Sequence, residues 1–182
     1  MKKITSLFFF VIIGLQLLAQ FDSTKLHYIG EKFGGGVIFY IDETGVHGLI
    51  AAPSDQGSGV QWGCKKKNIG TSDLTDGFNN TQKIVEICGN MTAAGLCKSL
   101  NLGGFKDWYL PSQDELKTMY NQRAKIPGIQ SGNYCSSTEY VPWQNTKSDK
   151  IFDCMVVQFG REGRVIHYHK ESPYFVRAIR KF

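Results

Sequence analysis

Every strongly helical pattern in this 182-residue chain falls between Asn79 and Tyr120, with runs that read as strand before and after it. That order constrains the fold more than any single motif does. "GGGVIFYID" and "VHGLIAAP" meet at the polar turn "DETG", which predicts a β-hairpin. The helical patterns are "NNTQKIVEIC", "MTAAGLCKSL" and "LPSQDELKTMY". In the third, Pro111 suits a helix start, Ser112 an N-cap, and Glu115 three residues on completes a capping box, with Leu116, Met119 and Tyr120 as the buried stripe. Asp107 to Leu110, just before it, reads as a short strand. After Ile129 the runs "NYCSSTEY", "CMVVQFG", "RVIHYHK" and "YFVRAIRKF" all read as β, with "GREG" a tight connection. Strands first, helices in the middle and an antiparallel set last predict α+β, with two or three mid-chain helices.

The first twenty residues, "MKKITSLFFFVIIGLQLLAQ", read as a secretory signal, with two lysines, an apolar run from Leu7 to Ile13 and Ala19 at a cleavage position. The apolar core is too short to span a bilayer, which takes about 20 residues. Residues 21–182 are then expected to form one domain, without linker or repeat, secreted, periplasmic or at the cell surface. The first cysteine is Cys64, so no lipid-anchor site is read near the cleavage position. Of the 21 basic side chains, Lys2 and Lys3 leave with the signal, so 19 face 16 acidic ones, a net of +3. Residues 159–182 hold Arg161, Arg164, Lys170, Arg177, Arg180 and Lys181 against Glu162 and Glu171. A local basic patch is predicted, and a nucleic-acid binder is not indicated.

Five cysteines in an exported chain favour disulfides, but an odd count leaves at least one thiol unpaired. Cys64, Cys88, Cys97, Cys135 and Cys154 are all candidates. Cys135 and Cys154 lie in strand-like runs, where a cross-strand bridge is possible if the strands are neighbours. No C-x-x-C pair is present, so neither a zinc knuckle nor a thioredoxin motif is read.

"GGGVIFYIDETGVHGLIAAPSDQ", "QWGC", "NTQKIVEIC", "DWYLPSQDEL", "CSSTEY" and "VRAIRKF", in that order from Gly34 to Phe182, resemble the Lcl C-terminal domain family of bacterial exported modules. The "LPSQDEL" element is also remotely similar to the helix start of C-type-lectin-like folds, including sulfatase-modifying proteins. The resemblance implies a C-type-lectin-like fold and a surface-associated binding domain. Its collagen-like adhesin member is associated with sulfated glycosaminoglycans and trimer formation. Two features depart from the family: Cys135 stands in "YCSS" where an aromatic is usual, and no Gly-X-Y repeat precedes the domain.

Asp114 and Glu115 are adjacent on a helix and point about 100° apart, so they suit the helix start and not an acid/base pair. His167 and His169 alternate on one strand face, but no third ligand accompanies them, so no metal site or cofactor is predicted. Gly34 to Gly36 precede a strand and lack a following GK[ST], so they suit close packing and not phosphate. No EPN- or WND-like run is present, so calcium-dependent sugar binding is disfavoured. Arg161, Arg164 and Lys170, with His167, His169 and Lys65 to Lys67 from the Gly-, Ser-, Asp- and Asn-rich stretch Ser54 to Asn80, which reads as one long loop, are the candidate anion-binding residues. Strand alternation places Arg164, Ile166, Tyr168 and Lys170 on one face, where Tyr168, or Tyr174 farther on, could stack on a sugar. A solvated strand face would use the same residues, and the resemblance is what favours binding. The expectation is a non-enzymatic domain for an extracellular or envelope ligand such as an anionic polysaccharide, oligomer formation left open. The alternatives are a structural or protein-binding envelope module and, more remotely, a sulfatase-modifying-like enzyme.

Overall fold

The computed structural model describes residues 26–142 and 152–182; the signal read at residues 1–20 lies outside them. In chain order the elements are β1 (Lys32–Phe33), β2 (Gly36–Ile41), β3 (Gly48–Ala51), β4 (Gly57–Val60), α1 (Gly77–Cys88), α2 (Ala93–Lys98), α3 (Gln113–Asn121), a 3-10 turn (Arg123–Lys125), β5 (Asn133–Glu139), β6 (Asp153–Gln158), β7 (Arg164–His169), β8 (Tyr174–Val176) and β9 (Ile179–Lys181). The fold is α+β, with the helices mid-chain as the sequence order predicts, and is compatible with a lectin-like arrangement. One sheet runs β1-β2-β3-β9 and is antiparallel throughout; the other runs β4-β8-β5-β6-β7, with β5 and β8 parallel.

Both faces of β3, β5 and β6 are largely covered, which explains why their apolar residues do not simply alternate. Ile38, Cys135, Cys154 and Val156 face a core built on Trp62, Ile84 and Trp108. Phe39, Tyr134, Val157 and Phe159 face a second, built on Tyr109, Leu116 and Met119. Helix α1 packs against β5, and α3 packs against β2, β5 and β6. Trp62 and Trp108 are among the largest fully buried side chains; each removes about 150–250 Å² from water, on the order of 4–6 kcal/mol of transfer free energy.

The predicted hairpin is β2–β3, turned by Asp42, whose Oδ1 accepts from Thr44 N (3.0 Å) and Oγ1 (2.5 Å). Gly36 is required by close approach, since a Cβ there would lie 2.1 Å from the Ala51 carbonyl oxygen. The α3 capping box is present: Ser112 Oγ accepts from Glu115 N at 3.3 Å and Glu115 Oε2 accepts from Ser112 N at 2.8 Å. Asp107 to Leu110, expected as a strand, is an extended segment joined to β9 by a single bridge, Tyr109 with Ile179.

"YFVRAIRKF" is two strands in different sheets instead of one. The break falls at Arg177, whose buried guanidinium satisfies backbone that a continuous strand would not reach. Its Nε donates to Asp55 Oδ1 (2.6 Å), Nη1 to Ala52 O (2.7 Å) and Pro127 O (3.1 Å), and Nη2 to Gly128 O (2.9 Å). Arg180, just beyond, forks onto Asp107 at 2.8 and 2.9 Å and holds that carboxyl below its ordinary range.

The stretch from Ser54 to Asn80 contains β4 and the start of α1, and the loop between them is pinned at several points. The Cys64–Cys88 disulfide ties it to α1, and buried Trp62 donates from Nε1 to Ser136 O at 2.6 Å. Deeper in, the Glu139 carboxylate accepts the backbone N–H of Ile69 (2.8 and 3.0 Å), of Gly70 and of Thr71 (3.0 Å). It also accepts from the buried Lys170 ammonium. Replacing Glu139 by Ala strands that ammonium and three amides, so unfolding in urea should show a loss of about 3–5 kcal/mol. Lys170→Met should cost less, because the carboxylate keeps its amide donors and the stem keeps its packing; equal losses would contradict this account.

Candidate functional site

The residues singled out from sequence lie along β7 and at its two ends. Beyond its last residue, His169, strand alternation no longer applies, and Lys170 turns inward. It is 1% exposed, so it does not share a solvent face with Arg164 as expected. Its Nζ donates to Lys67 O at 2.7 Å and lies 4.6 Å from the Trp62 ring. The buried cation thereby brings the basic loop to this end of β7. Lys65 Nζ is 4.0 Å from Glu171, and Lys66, at φ 49°, lines a hollow of about 600 Å³ with His169, Ser172 and Pro173. Tyr174, the alternative stacking residue, is buried and donates its hydroxyl to His169 O, so it is part of the core.

At the other end, Arg161 and Arg164 flank Gly163 in the turn between β6 and β7. Gly163 sits on the Tyr120 ring so closely that a Cβ would come within 2.3 Å of it. Lys117 Nζ donates to Gly163 O at 2.5 Å and lies 5.1 Å from the ring centroid, and the Arg123 guanidinium stacks over it at 4.0 Å. These contacts set Lys117 and Arg123 on the Tyr120 ring, beside the turn that carries Arg161 and Arg164. Among the described residues none of the four has a carboxylate within 4.0 Å. Sequence reading missed Lys117 and Arg123. The signal was the spacing Lys117, Tyr120, Arg123 at i, i+3 and i+6, which places all three along one side of the helix end.

Between the two ends, His167 and His169 do share a face, and they share one partner. Asp153 on β6 is buried, with His167 Nδ1 2.7 Å from its Oδ2 and His169 Nδ1 3.0 Å from its Oδ1. Tyr140 stacks on the His167 ring, centroids 3.9 Å apart. His167 hydrogen-bonds the carboxylate, whereas His169 lies beside Oδ1 without forming a hydrogen bond to it. Among the described residues no cluster of three metal-ligating side chains occurs. Tyr168 points away from Asp153 and is half exposed.

Asp114 and Glu115, predicted alike as helix-start carboxylates, differ in the structure. Glu115 is buried, accepting from Tyr109 Oη at 2.8 Å and Gly77 N at 3.2 Å besides its capping-box bond. Burial raises its carboxyl above the ordinary range. It therefore joins the starts of α1 and α3, whereas Asp114 is near the surface.

The cysteines depart from expectation. β5 and β6 are neighbours, but their register sets Cys135 opposite Val156 and Cys154 opposite Glu139, so a Cys135–Cys154 bridge is not formed. The single disulfide among the described residues is Cys64–Cys88. Cys97, Cys135 and Cys154 are free and buried in one core. Burial pushes the Cys154 thiol up to about 12 and raises Cys97 and Cys135 as well.

No curated protein matches the sequence. The family model described as the Lcl C-terminal domain matches residues 52–180.

An aromatic-disulfide reagent should find no reactive thiol in the native protein and three after unfolding in urea. A native reading of one or more would show that a core thiol is accessible. Opening Cys64–Cys88 by double Cys→Ser replacement should cost about 3 kcal/mol, as expected for a loop of this size.

Proposed function

The chain belongs to the Lcl C-terminal domain family, and we propose that it is an exported, non-enzymatic binding domain that holds anionic, sulfated glycans along β7. The observation that carries the reading is the separation of exposed and half-buried cations into two groups at the two ends of one strand. The five residue steps of β7 span about 16 Å, with Lys65 to Lys67 at one end and Arg161, Arg164, Lys117 and Arg123 at the other. A linear polyanion laid along the strand would meet both groups and pass Tyr168 between them. Arginine forks and lysine ammonium groups each bind sulfate by charge-assisted hydrogen bonds, individually weak in water and effective when several act together.

Export rests on the lysine-then-apolar pattern of residues 1–20. The non-enzymatic part is supported by the thiols: a nucleophilic cysteine needs a lowered pKa and access to solvent, whereas Cys97, Cys135 and Cys154 are buried with raised pKa values. Glu115, the one strongly buried carboxyl of the α3 start, is fully engaged in hydrogen bonds within the protein.

On immobilised heparin the protein should be retained at low salt and eluted by raising ionic strength. Replacing Lys65, Lys66 and Lys67 by Ala, or Arg161 and Arg164 by Ala, should each weaken heparin binding by about tenfold, taking a few tenths to 1 kcal/mol per surface cation. Absence of retention at low salt, or equal retention of the variant lacking all five, would overturn the reading.

A further inference from the structure

A second cleft, sharing no lining residue with the β7 surface, opens between the β2–β3 hairpin, β9 and the first turns of α3, with a volume of about 650 Å³. Its aromatic wall exists because of a local irregularity. The β2–β3 register shifts between Ile38 and Tyr40, and a bulge re-aims the side chain that follows it. Tyr40 consequently turns outward and is 43% exposed in a strand whose preceding residues Val37, Ile38 and Phe39 are buried. Leu49 and Phe182 continue that apolar wall.

The rim supplies hydrogen-bonding groups of both kinds. Asp42 and Asp114 each accept from a neighbour at Oδ1 only, from Thr44 and from Gln113 Nε2, which leaves one carboxylate oxygen of each available among the described residues. The Thr44 hydroxyl holds the Asp42 carboxyl below its ordinary range, so it is an ionised acceptor at neutral pH. Lys181 also lines the cleft and has no carboxylate within 4.0 Å among the described residues, so its ammonium is a donor. Thr75 and Thr118 spend their hydroxyl protons on Asp73 Oδ1 and Asp114 O and keep acceptor lone pairs.

Anions are disfavoured here on two counts. Both available rim carboxylates repel them. The first-turn amides of α3 are also taken: Gln113 N donates to Thr138 Oγ1 at 3.0 Å, Asp114 N to Leu74 O at 3.0 Å and Glu115 N to Ser112 Oγ at 3.3 Å. A ligand for this cleft needs an apolar face for Tyr40, hydroxyl donors for the carboxylates and an acceptor for Lys181. We propose that the cleft binds an uncharged sugar of one or two rings, its C–H face stacked on Tyr40 and its hydroxyls shared between Asp42, Asp114 and Lys181. The volume lies within the roughly 300–1,000 Å³ usual for small-ligand sites. This site is independent of the polyanion reading of β7.

The experiment is NMR titration of the ¹⁵N-labelled protein with maltotriose, cellotriose, mannotriose and the trisaccharide of N-acetylglucosamine, with spermidine as a cationic comparison. At least one trisaccharide should shift the amides of Tyr40, Leu49 and Phe182 in the millimolar range. Tyr40→Ala and Asp114→Asn should each weaken that binding by about tenfold, whereas Tyr40→Phe, which keeps the stacking face, should bind like the parent. Spectral dispersion reports that the variants are folded. The proposal fails if no sugar binds at about 10 mM, if binding survives both weakening substitutions, or if spermidine alone perturbs the cleft.

Discussion

The buried ion pair between Glu139 and Lys170 is the constraint on which the long loop, and one end of the β7 surface, depends. Moving either charge out of water costs several kcal/mol, and mutual attraction offsets this only where the remaining hydrogen-bonding capacity is also satisfied. Here it is satisfied from both sides. The carboxylate collects the amides of Ile69, Gly70 and Thr71, and the ammonium adds the Lys67 carbonyl and the Trp62 face. Each of those partners belongs to the loop between β4 and α1. A segment with little apolar content is thus ordered by polar groups converging on a charge in β5, and the triple lysine it carries is delivered to β7 as a consequence.

The same logic redistributes the basic residues of the C-terminal segment. Six cations in residues 159–182 read from sequence as one patch. In the fold, Lys170 neutralises Glu139, Arg177 neutralises Asp55 and supports three carbonyls, and Arg180 forks onto Asp107. Half of the apparent patch therefore holds the architecture together. Counting charges along a chain cannot make this distinction, because an arginine at a strand break and one in a turn have the same local composition. The surface cations are partly replaced by Lys117 and Arg123, which a stacking contact with Tyr120 draws towards the β6–β7 turn.

What was legible in the sequence was local. The capping box at Ser112 and Glu115, the "DETG" hairpin and the mid-chain helices are each specified by residues within a few positions of one another, and all are found. What was not legible needs long-range register. Cys135 and Cys154 do lie on adjacent strands, yet their offset depends on an irregularity between Cys135 and Glu139 that leaves no local trace. The break at Arg177 likewise depends on Asp55, Ala52, Pro127 and Gly128, far away in the chain. The Tyr40 cleft falls in the same class, since "GGGVIFYID" gives no sign of which residue the bulge will expose.

Cysteine arithmetic alone would suggest that an exported protein with an odd count carries a thiol seeking a partner in another molecule. The core changes that inference. Disulfide exchange proceeds through the thiolate, and burial raises the Cys154 pKa, so the thiolate is disfavoured at neutral pH. Cys97, Cys135 and Cys154 are also buried, so both the reactive form and the approach of an oxidant require the core to open. The three thiols act as small apolar residues of the core, and their protection from oxidation follows from the stability of the packing around Trp62 and Trp108. Conditions that loosen the Glu139–Lys170 anchor, and with it Trp62, are therefore the ones under which these cysteines become reactive.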